Sequence, residues 1–449
     1  MVNSSNQQNT LSCPALFFAA PASGQGKTTI TAAIARFHKN AGRTVRVFKT
    51  GPDYLDPQVL EQASGQAVEM LDLWMSGIEL CQQKLYSAAL EADIILVEGA
   101  MGMFDGEPSS ADLAASFGIP IAIVMDVKGM AQTAAALALG LVNFRDDYTV
   151  AGLIANNCGS ERHAQLIRDA LPSSLPLLAT LARNDAVTLP ERHLGLVQAS
   201  ECRAELEQCF ESACQWIGNS ALTQLPKPVN FKQQQIDKPD KLLAGVHIAI
   251  AKDAAFTFIY ADNIQLLKDL GAQLSFFSPL MDKKLPNADA LWLPGGYPEL
   301  HAKQLSTNPI MIASIQSFFN SNRPLLAECG GMLYCMQTLT DLNEQTYSMT
   351  GLINGHGSLR GRRGCQGMQT AMLPEGEVRA HAHHRSQCVD TPTPLAFGKR
   401  QRHPAPGEAI YRERALTASY LHLFFPSNPV AIAKLFTGQV ISLRQGECG

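Results

Sequence analysis

An apolar run that ends in a reactive side chain and two glycines constrains this chain most. The pattern predicts a buried strand from Pro324 to Ala327, a turn at Glu328-Cys329-Gly330-Gly331, and a helix over Met332–Met336. A strand, a sharp turn and a helix in this order form a nucleophile elbow, in which the turn exposes its central side chain. The start of a helix favours a thiolate, so Cys329 is predicted to be a nucleophile rather than a buried structural cysteine.

A cysteine nucleophile needs a base, and the C-terminal part of the chain offers several histidines. The cluster at 381–384 has no cysteine or acid at the spacing of a zinc site, so a metal is not expected there. His422 lies in the apolar, strand-like run 418–425, and it is the predicted base. Phe424 stands two residues further on, where Cys-His-Glu hydrolases often carry an acid. A catalytic dyad is therefore expected rather than a triad of that spacing.

A glycine-rich stretch near the N-terminus predicts a phosphate-binding loop. The apolar strand Ala15–Ala20 runs into Pro-Ala-Ser-Gly-Gln-Gly-Lys-Thr-Thr at 21–29, and a helix is predicted from Thr28 to Asn40. Backbone N–H groups of such a loop hold phosphate oxygens, its lysine supplies positive charge, and its hydroxyl reaches Mg²⁺. Proline stands at position 21, where the common pattern has its first glycine. The predicted ATP-binding residues are Ser23, Gly24, Gln25, Gly26, Lys27, Thr28 and Thr29.

Charged residues follow two further predicted strands. Lys49 and Asp53 come after the second strand, and Glu98 closes the strand at 93–97. Because ligands bind at the carboxyl ends of the strands in open α/β sheets, Lys49 and Asp53 are predicted to contact substrate or phosphate. A carboxylate that faces a phosphate loop is a typical magnesium ligand, so Glu98 and Thr28 are the predicted metal site.

Strands and helices alternate along the N-terminal half, which predicts a mostly parallel, doubly wound α/β sheet. A second strand–helix rhythm begins near residue 245, with a strand predicted at Val246–Ala251, a helix at Phe256–Leu270 and a strand at Gln273–Phe277. The stretch between the two holds three prolines and a polar run, which indicates a linker. We therefore expect a polar tail, an ATP-binding domain, a linker and a second α/β domain at residues 1–13, 14–215, 216–244 and 245–445.

The second domain also has a glycine turn that can complete the cysteine site. The strand predicted at Ala288–Leu293 ends in Pro294-Gly295-Gly296. Backbone N–H groups at this turn, together with that of Gly330, can stabilise the oxyanion that forms when a thiolate attacks an amide. Gly296 and Gly330 are the predicted oxyanion residues, although the glycines by themselves also fit a plain turn.

Charge and cysteine usage exclude several classes of protein. The 449 residues carry a net charge of −4 without a strong basic block, so nucleic acid is not an expected partner. No run is long and apolar enough for a membrane span, and the polar start lacks the apolar core of a secretory signal. The eleven cysteines are odd in number and show no paired spacing, so we expect reduced thiols in the cytoplasm.

Taken together, six stretches resemble the cobyrinic acid a,c-diamide synthase family over nearly the whole chain. They follow the family's order: SGQGKTT (23–29), FKTGPDYLDP (48–57), VEGAMGMFDG (97–106), ALWLPGGYPEL (290–300), PLLAECGGM (324–332) and ASYLHLFF (418–425). The resemblance implies a P-loop NTPase-like first domain similar to dethiobiotin synthetase. It implies a class I glutamine amidotransferase-like second domain of the cobyric-acid-synthase type, with Cys329 as nucleophile and His422 as its base.

The resemblance also implies the activity. Members of this family amidate the a and c acetate carboxylates of cobyrinic acid, a corrin-type macrocycle, during cobalamin biosynthesis, and they use ATP and L-glutamine as substrates. Glu98 would hold Mg²⁺, while Lys49 and Asp53 would lie near the site of carboxylate activation. The oligomeric state stays open, a homodimer included.

Three positions depart from the family's usual pattern. Ala382 stands where an acid is usual, Cys365 where a tyrosine is common, and Phe424 where a second histidine is frequent. They leave the macrocycle open, with hydrogenobyrinic acid or nickel-sirohydrochlorin as the alternative substrate. An alternative from a different class is a non-enzymatic nucleotide-switch protein with an inactive amidotransferase fold. The presence of both Cys329 and His422 favours the enzyme, since a binding module needs neither.

Overall fold

The computed structural model of the chain describes residues 9–192, 195–196, 201–359 and 366–438. The chain divides into two compact units, Met1–Ile236 and Asp237–Gly449. Each unit has its own central β-sheet and its own hydrophobic core.

The strands of the first unit form an eight-stranded sheet and a separate two-stranded one. Their bounds are β1 Thr10–Ala19, β2 Val45–Thr50, β3 Glu69–Leu71, β4 Ile94–Glu98, β5 Ile121–Asp126, β6 Val150–Cys158, β7 Leu177–Ala182, β8 Glu191–Arg192, β9 Gly195–Leu196 and β10 Pro228–Lys232. The large sheet has the order β3-β2-β4-β1-β5-β6-β7, and every pair along it is parallel. Strand β10 is added antiparallel to the first half of β1.

Helices cover both faces of this parallel sheet, as crossover connections require. Their bounds are α1 Lys27–Asn40, α2 Asp56–Ser64, α3 Ile78–Ala89, α4 Ser110–Phe117, α5 Gln132–Asn143, α6 Glu161–Ala170 and α7 Arg203–Ile217. Phe17 and Phe18 are neighbours on β1 and are fully buried in two different hydrophobic clusters. Since successive side chains of a strand point to opposite faces, the sheet is covered on both sides and the predicted doubly wound fold is confirmed.

The second unit has a ten-stranded mixed sheet and a small four-stranded one. Its strands are β11 His247–Ala251, β12 Gln273–Phe277, β13 Ala290–Leu293, β14 Leu325–Glu328, β15 Thr338–Thr340, β16 Thr346–Ser348, β17 His356–Leu359, β18 Gln366–Leu373, β19 Gly376–His383, β20 Ser386–Val389, β21 Ala396–Arg400, β22 Pro406–Glu413, β23 Leu416–Ser419 and β24 His422–Leu423. The large sheet runs β12-β11-β13-β14-β23-β22-β21-β18-β19-β24 and is parallel from β12 to β23.

The parallel half of this sheet carries the predicted cysteine site at its carboxyl edge. The α-helices of the unit are α8 Ala261–Asp269, α9 Ala302–Ser306, α10 Pro309–Asn320, α11 Gly330–Cys335 and α12 Pro429–Thr437. A one-turn 3₁₀-helix, Pro298–Leu300, follows the glycine turn after β13. Strands β13 and β14 are adjacent and parallel, so the turns that follow them lie side by side.

The structure differs from the predicted linker at 216–244. Its first residues complete helix α7, and it contains β10, whose pairing with β1 makes it part of the first sheet. The helix expected from Phe256 starts only at Ala261, because Phe258 forms a bridge with Gly295 instead. Among the described residues, no helix combines the length and the apolar character that crossing a membrane requires.

Candidate functional site

The phosphate-binding loop predicted at 23–29 connects β1 to α1 at the carboxyl edge of the first sheet. Ser23 and Gly24 are exposed at its tip, and Thr29 is half-buried in the first turn of the helix. Gly26 precedes the helix in a left-handed conformation with φ 92°. The loop therefore presents its backbone to solvent at the N-terminal end of α1, where anions bind.

Two neighbouring strands hold this loop through Gln25. The Asn156 side chain, on β6, donates from Nδ2 to the Gln25 carbonyl oxygen at 2.9 Å. The Gln25 side-chain oxygen in turn accepts the Asp126 backbone N–H of β5 at 2.8 Å. The loop conformation is thus fixed by the sheet before any phosphate binds.

The side chains of Lys27 and Thr28 reach from the helix start towards the end of β4. Lys27 Nζ donates to the Met101 carbonyl oxygen at 2.8 Å, and the side chain is buried. Burial, followed by the positive charge of Lys49, lowers the pKa of Lys27. Thr28 Oγ1 donates to Glu98 Oε1 at 2.7 Å. The predicted loop residues and the predicted acid therefore meet.

Lys49 lies at the centre of a cluster of three acids. Strands β2 and β4 are paired so that Lys49 stands opposite Glu98, and Lys49 Nζ lies 2.7 Å from Glu98 Oε1. The same ammonium lies 2.7 Å from Asp56 Oδ2 and 3.9 Å from Asp53 Oδ2. A buried charge is stable only when it is paired, and here one cation is shared among three carboxylates.

Burial and this charge pairing act against each other on the pKa values of the cluster. Burial alone would lower the pKa of Lys49, but Asp56, Glu98 and Asp53 outweigh it and raise that pKa above its usual range. Burial likewise opposes ionisation of Asp56, yet Lys49 prevails and lowers the pKa of that carboxyl. For Glu98 burial prevails over Lys49, and the pKa is raised. The Lys49–Asp56 ion pair is therefore the fixed part of the cluster.

The oxygen atoms at Glu98 and Thr28 fit a hard divalent cation. Glu98 is fully buried, and its Oε2 accepts no hydrogen bond from any residue that the structure describes. Carboxylate and hydroxyl oxygens are the ligands that Mg²⁺ prefers. No three His, Cys, Asp or Glu side chains within the described ranges are arranged as a metal site. A magnesium ion here would therefore complete its shell with water and nucleotide phosphates.

Asp56 is a member of this cluster that the sequence reasoning missed. Asp53, which was predicted instead, uses its Oδ1 to accept the backbone N–H groups of Leu55 and Asp56, so it shapes the turn into α2. Asp56 then begins α2 and turns its carboxylate to Lys49. The available signal was an acid directly before a proline, a pattern typical of a helix start, a few residues beyond a lysine at a strand end.

In the second unit, Cys329 occupies the predicted elbow between β14 and α11. Its backbone has φ 45° and ψ −104°, a conformation that a non-glycine residue rarely adopts. The Cys329 backbone N–H donates to the Ser419 carbonyl oxygen at 2.7 Å, which ties the elbow to the end of the neighbouring strand β23. The side chain is buried. Strain at the tip of a strand is the geometry of a nucleophile elbow.

The glycine turn after β13 lies against both His422 and the elbow. The His422 ring lies so close to Gly295 that a Cβ at this position would overlap it. A Cβ at Gly330 would lie 2.9 Å from Gly296 N and 2.7 Å from Pro298 Cδ. Side chains are excluded on both sides of this turn, so glycine is required there. The structure therefore brings Gly296, Gly330 and His422 to one place beside Cys329.

Glu328 connects the segments that carry Cys329 and His422, and the sequence reasoning missed it. Its Oε1 accepts the Leu423 backbone N–H at 2.8 Å, and its Oε2 accepts Trp292 Nε1–H at 2.9 Å. Glu328 precedes Cys329 in the chain, and Leu423 follows His422. One buried carboxyl group thus fixes the spacing of the two predicted catalytic residues. The signal in the sequence was an acid at the end of an otherwise apolar strand.

The pKa values of the two predicted catalytic residues indicate a neutral resting pair. Burial, and then the charge of Glu299, raises the pKa of Cys329 well above its usual value, although the Gly330 backbone N–H acts in the opposite direction. Burial, followed by the neighbouring histidines at 381, 383 and 384, lowers the pKa of His422. The expectation that the turn favours the thiolate was therefore wrong for the free domain, because burial outweighs the helix start. A neutral imidazole is the form that can accept a proton.

Comparison with known protein families assigns a domain type to each half of the chain. Residues 16–197 match the CobQ/CobB/MinD/ParA nucleotide binding domain, and residues 247–430 match the CobB/CobQ-like glutamine amidotransferase domain. The chain is 49% identical to hydrogenobyrinate a,c-diamide synthase of Stutzerimonas stutzeri, a match that covers 94% of this chain and 98% of the relative. The chain belongs to the a,c-diamide synthase family.

Other members of the a,c-diamide synthase family match over similar lengths. The hydrogenobyrinate a,c-diamide synthase of Pseudomonas aeruginosa is 48% identical and is covered over 97% of its length, with 94% of this chain aligned. The cobyrinate a,c-diamide synthase of Herminiimonas arsenicoxydans is 44% identical, with 93% of this chain and 95% of the relative covered. The predicted family, the two-domain α/β fold and the assignment as a glutamine-dependent ligase are confirmed. The non-enzymatic switch is not favoured.

The departures from the usual pattern of the a,c-diamide synthase family lie in different surroundings. Ala382 is fully buried in β19, and Phe424 is fully buried with its ring centroid 5.9 Å from that of Tyr260. Phe424 therefore serves the hydrophobic core, and no acid stands two residues after His422. Cys365 lies outside the described residues.

Proposed function

We propose that this chain converts the a and c acetate carboxylates of cobyrinic acid to amides, with ATP and glutamine as co-substrates. The observation that carries the proposal is the Cys329 elbow, strained at φ 45° and joined to His422 through the Gly295–Gly296 turn. A glutaminase site of this kind releases ammonia, and a nucleotide-binding domain can use ATP to activate a carboxylate. A chain with both domains therefore has the two parts of an amide ligase.

The first unit would activate the carboxylate. A carboxylate is a poor electrophile, so one of its oxygens attacks the γ-phosphorus of ATP, ADP leaves, and an acyl phosphate forms. Lys27 would leave the Met101 carbonyl oxygen to hold the phosphate oxygens, and Lys49 would orient the acetate. Glu98 and Thr28 would hold Mg²⁺, which when bound offsets the negative charge of the phosphates. Ammonia then attacks the acyl carbon, phosphate leaves, and the nitrogen loses a proton.

The second unit would release that ammonia. His422 takes the proton from Cys329 Sγ, and the sulfur attacks the side-chain amide carbon of glutamine. The backbone N–H groups of Gly296 and Gly330 would stabilise the oxyanion. Ammonia departs with the proton from His422, and water cleaves the thioester to give glutamate and restore the thiol. The same chemistry serves the second acetate.

Hydrogenobyrinic acid is the second candidate substrate. Two of the relatives, at 49% and 48% identity, are named for hydrogenobyrinate, whereas the relative at 44% is named for cobyrinate. The two macrocycles differ in the metal at the centre of the ring, while the reacting acetates are the same. The chemistry proposed for the residues above holds for either substrate.

A direct assay separates these two candidates. The purified protein is incubated with ATP, magnesium, glutamine and one macrocycle at a time, and the product is analysed by mass spectrometry. We expect two carboxylate-to-amide conversions on cobyrinic acid, with one ATP consumed for each. Conversion of hydrogenobyrinic acid alone would move the assignment to the second candidate. No conversion of either would contradict the proposed function.

We also propose that the protein works in the cytoplasm with its thiols reduced. Thiols such as the buried Cys209 and Cys335 form no disulfide within the part of the chain that the structure describes. A homodimer stays a prediction, which a measurement of molecular mass in solution tests.

A further inference from the structure

Glu299 is a buried acid beside the nucleophile that the mechanism above does not use. It lies in the one-turn helix Pro298–Leu300, directly after the glycine turn, and only 9% of its surface is exposed. Its Oε2 is enclosed and accepts no hydrogen bond from the part of the chain that the structure describes. Burying a carboxyl group without a partner costs free energy. Glu299 is therefore built for a partner that is not a described residue of this chain.

The position of Glu299 shows where that partner would lie. Pro298, its neighbour, packs against Gly330, the residue that follows Cys329. Among the acids, Glu299 contributes most to the raised pKa of Cys329, more than Glu328, which is bonded directly to Cys329 along the chain. The charge of Glu299 is therefore near enough to act on the thiol. A partner of Glu299 would occupy the space next to the reacting sulfur.

A purely structural explanation of Glu299 does not fit. An acid that joined strands would be satisfied within the fold, as Glu328 is by Trp292 and Leu423. Glu299 differs from Glu328 in this respect, since one of its oxygens is left open.

We propose that Glu299 binds the α-ammonium group of glutamine. This inference rests on the proposed function, and it names the residue that makes the cysteine site specific for the free amino acid. Free glutamine carries an α-ammonium group a few bonds from its side-chain amide, whereas a glutamine residue within a protein does not. An ammonium–carboxylate pair in a buried site is a strong, charge-assisted contact.

The same contact would couple substrate binding to the formation of the nucleophile. In the free domain the negative charge of Glu299 opposes the thiolate and helps to raise the pKa of Cys329. An α-ammonium group on Glu299 neutralises that charge, so the proton leaves Cys329 Sγ more readily once glutamine has bound. The thiol is thus kept unreactive until its substrate arrives.

Glutaramate, which is glutamine without its α-amino group, is the probe for this contact. We compare kcat/KM for hydrolysis of glutamine and of glutaramate in the wild type, Glu299→Gln and Glu299→Asp. The wild type is expected to prefer glutamine by about 100-fold, since a site built for a charged group rejects the analogue that lacks it. Glu299→Gln is expected to abolish most of this preference by raising KM for glutamine. Glu299→Asp, which keeps the charge, is expected to restore part of it.

The matched control is Glu328→Gln, an acid of equal size that is satisfied inside the fold. It is expected to lower hydrolysis of both compounds by the same factor and to keep their ratio. A Glu299→Gln protein that keeps the wild-type ratio, or loses both activities equally, would overturn the proposal. If Glu299→Gln does not fold, Glu299→Asp alone decides, since its ratio must fall below that of the wild type.

Failure of the proposed function can be told apart from failure of this inference. Ammonium-dependent amide synthesis by the wild type tests the macrocycle reaction and does not involve glutamine. The glutamine-to-glutaramate ratio tests Glu299 and requires no macrocycle. A chain that discriminates through Glu299 but does not amidate a macrocycle would retain this inference and lose the proposed substrate.

Discussion

In the first unit the buried Glu98 and the half-buried Asp56 each lie 2.7 Å from the Lys49 ammonium, whereas in the second unit Oε2 of the buried Glu299 accepts no hydrogen bond from any described residue. The nucleotide-binding unit therefore carries its own counter-ion, and its acids are held in place before any ligand arrives. In the glutaminase unit, by contrast, one carboxylate oxygen of Glu299 has no hydrogen-bond donor among the described residues. The difference indicates that phosphate chemistry uses a preformed cluster of charges, while amide hydrolysis waits for a charged substrate to complete its site.

The largest expected effect is the loss of glutamine use in a variant of Cys329, the proposed nucleophile. This variant tests the second unit separately from the first. Cys329→Ser keeps the shape of the elbow but offers a much weaker nucleophile, so glutamine-dependent synthesis is expected to fall by about 10³-fold or more. Ammonium-dependent synthesis is expected to persist near the wild-type rate. Both nitrogen donors are assayed on one folded preparation, and Cys214→Ser, a half-buried thiol of helix α7, is the control. Equal loss with both donors would assign Cys329 a structural role.

The converse variant removes Lys27, the proposed phosphate contact of the first unit. Lys27→Ala is expected to lower amide formation by about 10²–10³-fold with either donor, because both routes need the acyl phosphate. Hydrolysis of glutamine alone is expected to continue. Lys39→Ala, in the last turn of the same helix, should leave both activities intact. Synthesis from ammonium at the wild-type rate in Lys27→Ala would contradict the assignment of the loop.

A third variant tests the claim that Lys49 is the internal counter-ion. Lys49→Met leaves the buried Glu98 and the half-buried Asp56 without their cation, and it is expected to lower the free energy of unfolding by about 3–5 kcal/mol. The double variant Lys49→Met with Glu98→Gln removes one of the stranded charges and should recover part of that loss. Urea unfolding measures both. Additive losses in the double variant would show that the two residues do not act on each other.

The smallest expected effect is a dependence of stability on pH in the second unit. Burial raises the pKa of Glu299 to about 7 and that of Glu328 to about 8, from an ordinary value of 4.5. The folded protein thus binds more protons than the unfolded chain in this interval. The two protonated carboxyl groups contribute on the order of a few kcal/mol to the free energy of unfolding. This contribution is complete below pH 4.5 and is lost as the pH rises to 8.

Urea unfolding between pH 4.5 and 8 checks this direction. Glu299→Gln should flatten the part of the curve that ends near pH 7, while Glu161→Gln, an exposed acid of the other unit, should not change its shape. A Glu299→Gln curve with the same shape as the wild-type curve over this interval would contradict the assignment of a buried, proton-binding acid. The comparison with the wild type is needed because buried histidines such as His422, whose pKa is lowered, change the stability in the opposite direction in both proteins.

Much of the fold was predictable because its signals are local. The strand Gln273–Phe277 agrees with the sequence pattern residue for residue, and α1 begins one residue before the predicted Thr28. The start of α8 was not predictable, because Phe258 leaves the helical pattern to form a bridge with Gly295, which lies far away in the sequence. Strand β10 was hidden for a similar reason, since only its pairing with β1 makes a strand of that polar, proline-containing segment.

The candidate site shows the same limit. Cys329, Lys27 and Glu98 stand at strand ends or loop positions whose role follows from their neighbours in the chain. Asp56 has a local signal in the sequence, but its pairing with Lys49 follows only from the fold. Glu299 is identified by its place in the fold, next to Pro298, which packs against Gly330 at the elbow. The direction of the pKa shift of Cys329 depends on how deeply the elbow is buried, and a sequence pattern does not carry that quantity.

The central claim is that one chain releases ammonia at Cys329 and uses it to amidate two carboxylates. Glutamine labelled with ¹⁵N in its side-chain amide tests this claim most directly. The wild-type protein is incubated with ATP, magnesium, the macrocycle and labelled glutamine, and the product is analysed by mass spectrometry. We expect a product with two ¹⁵N amides, with one ADP and one glutamate formed for each amide. Release of labelled ammonia together with an unchanged macrocycle, or amides formed without the label, would contradict it.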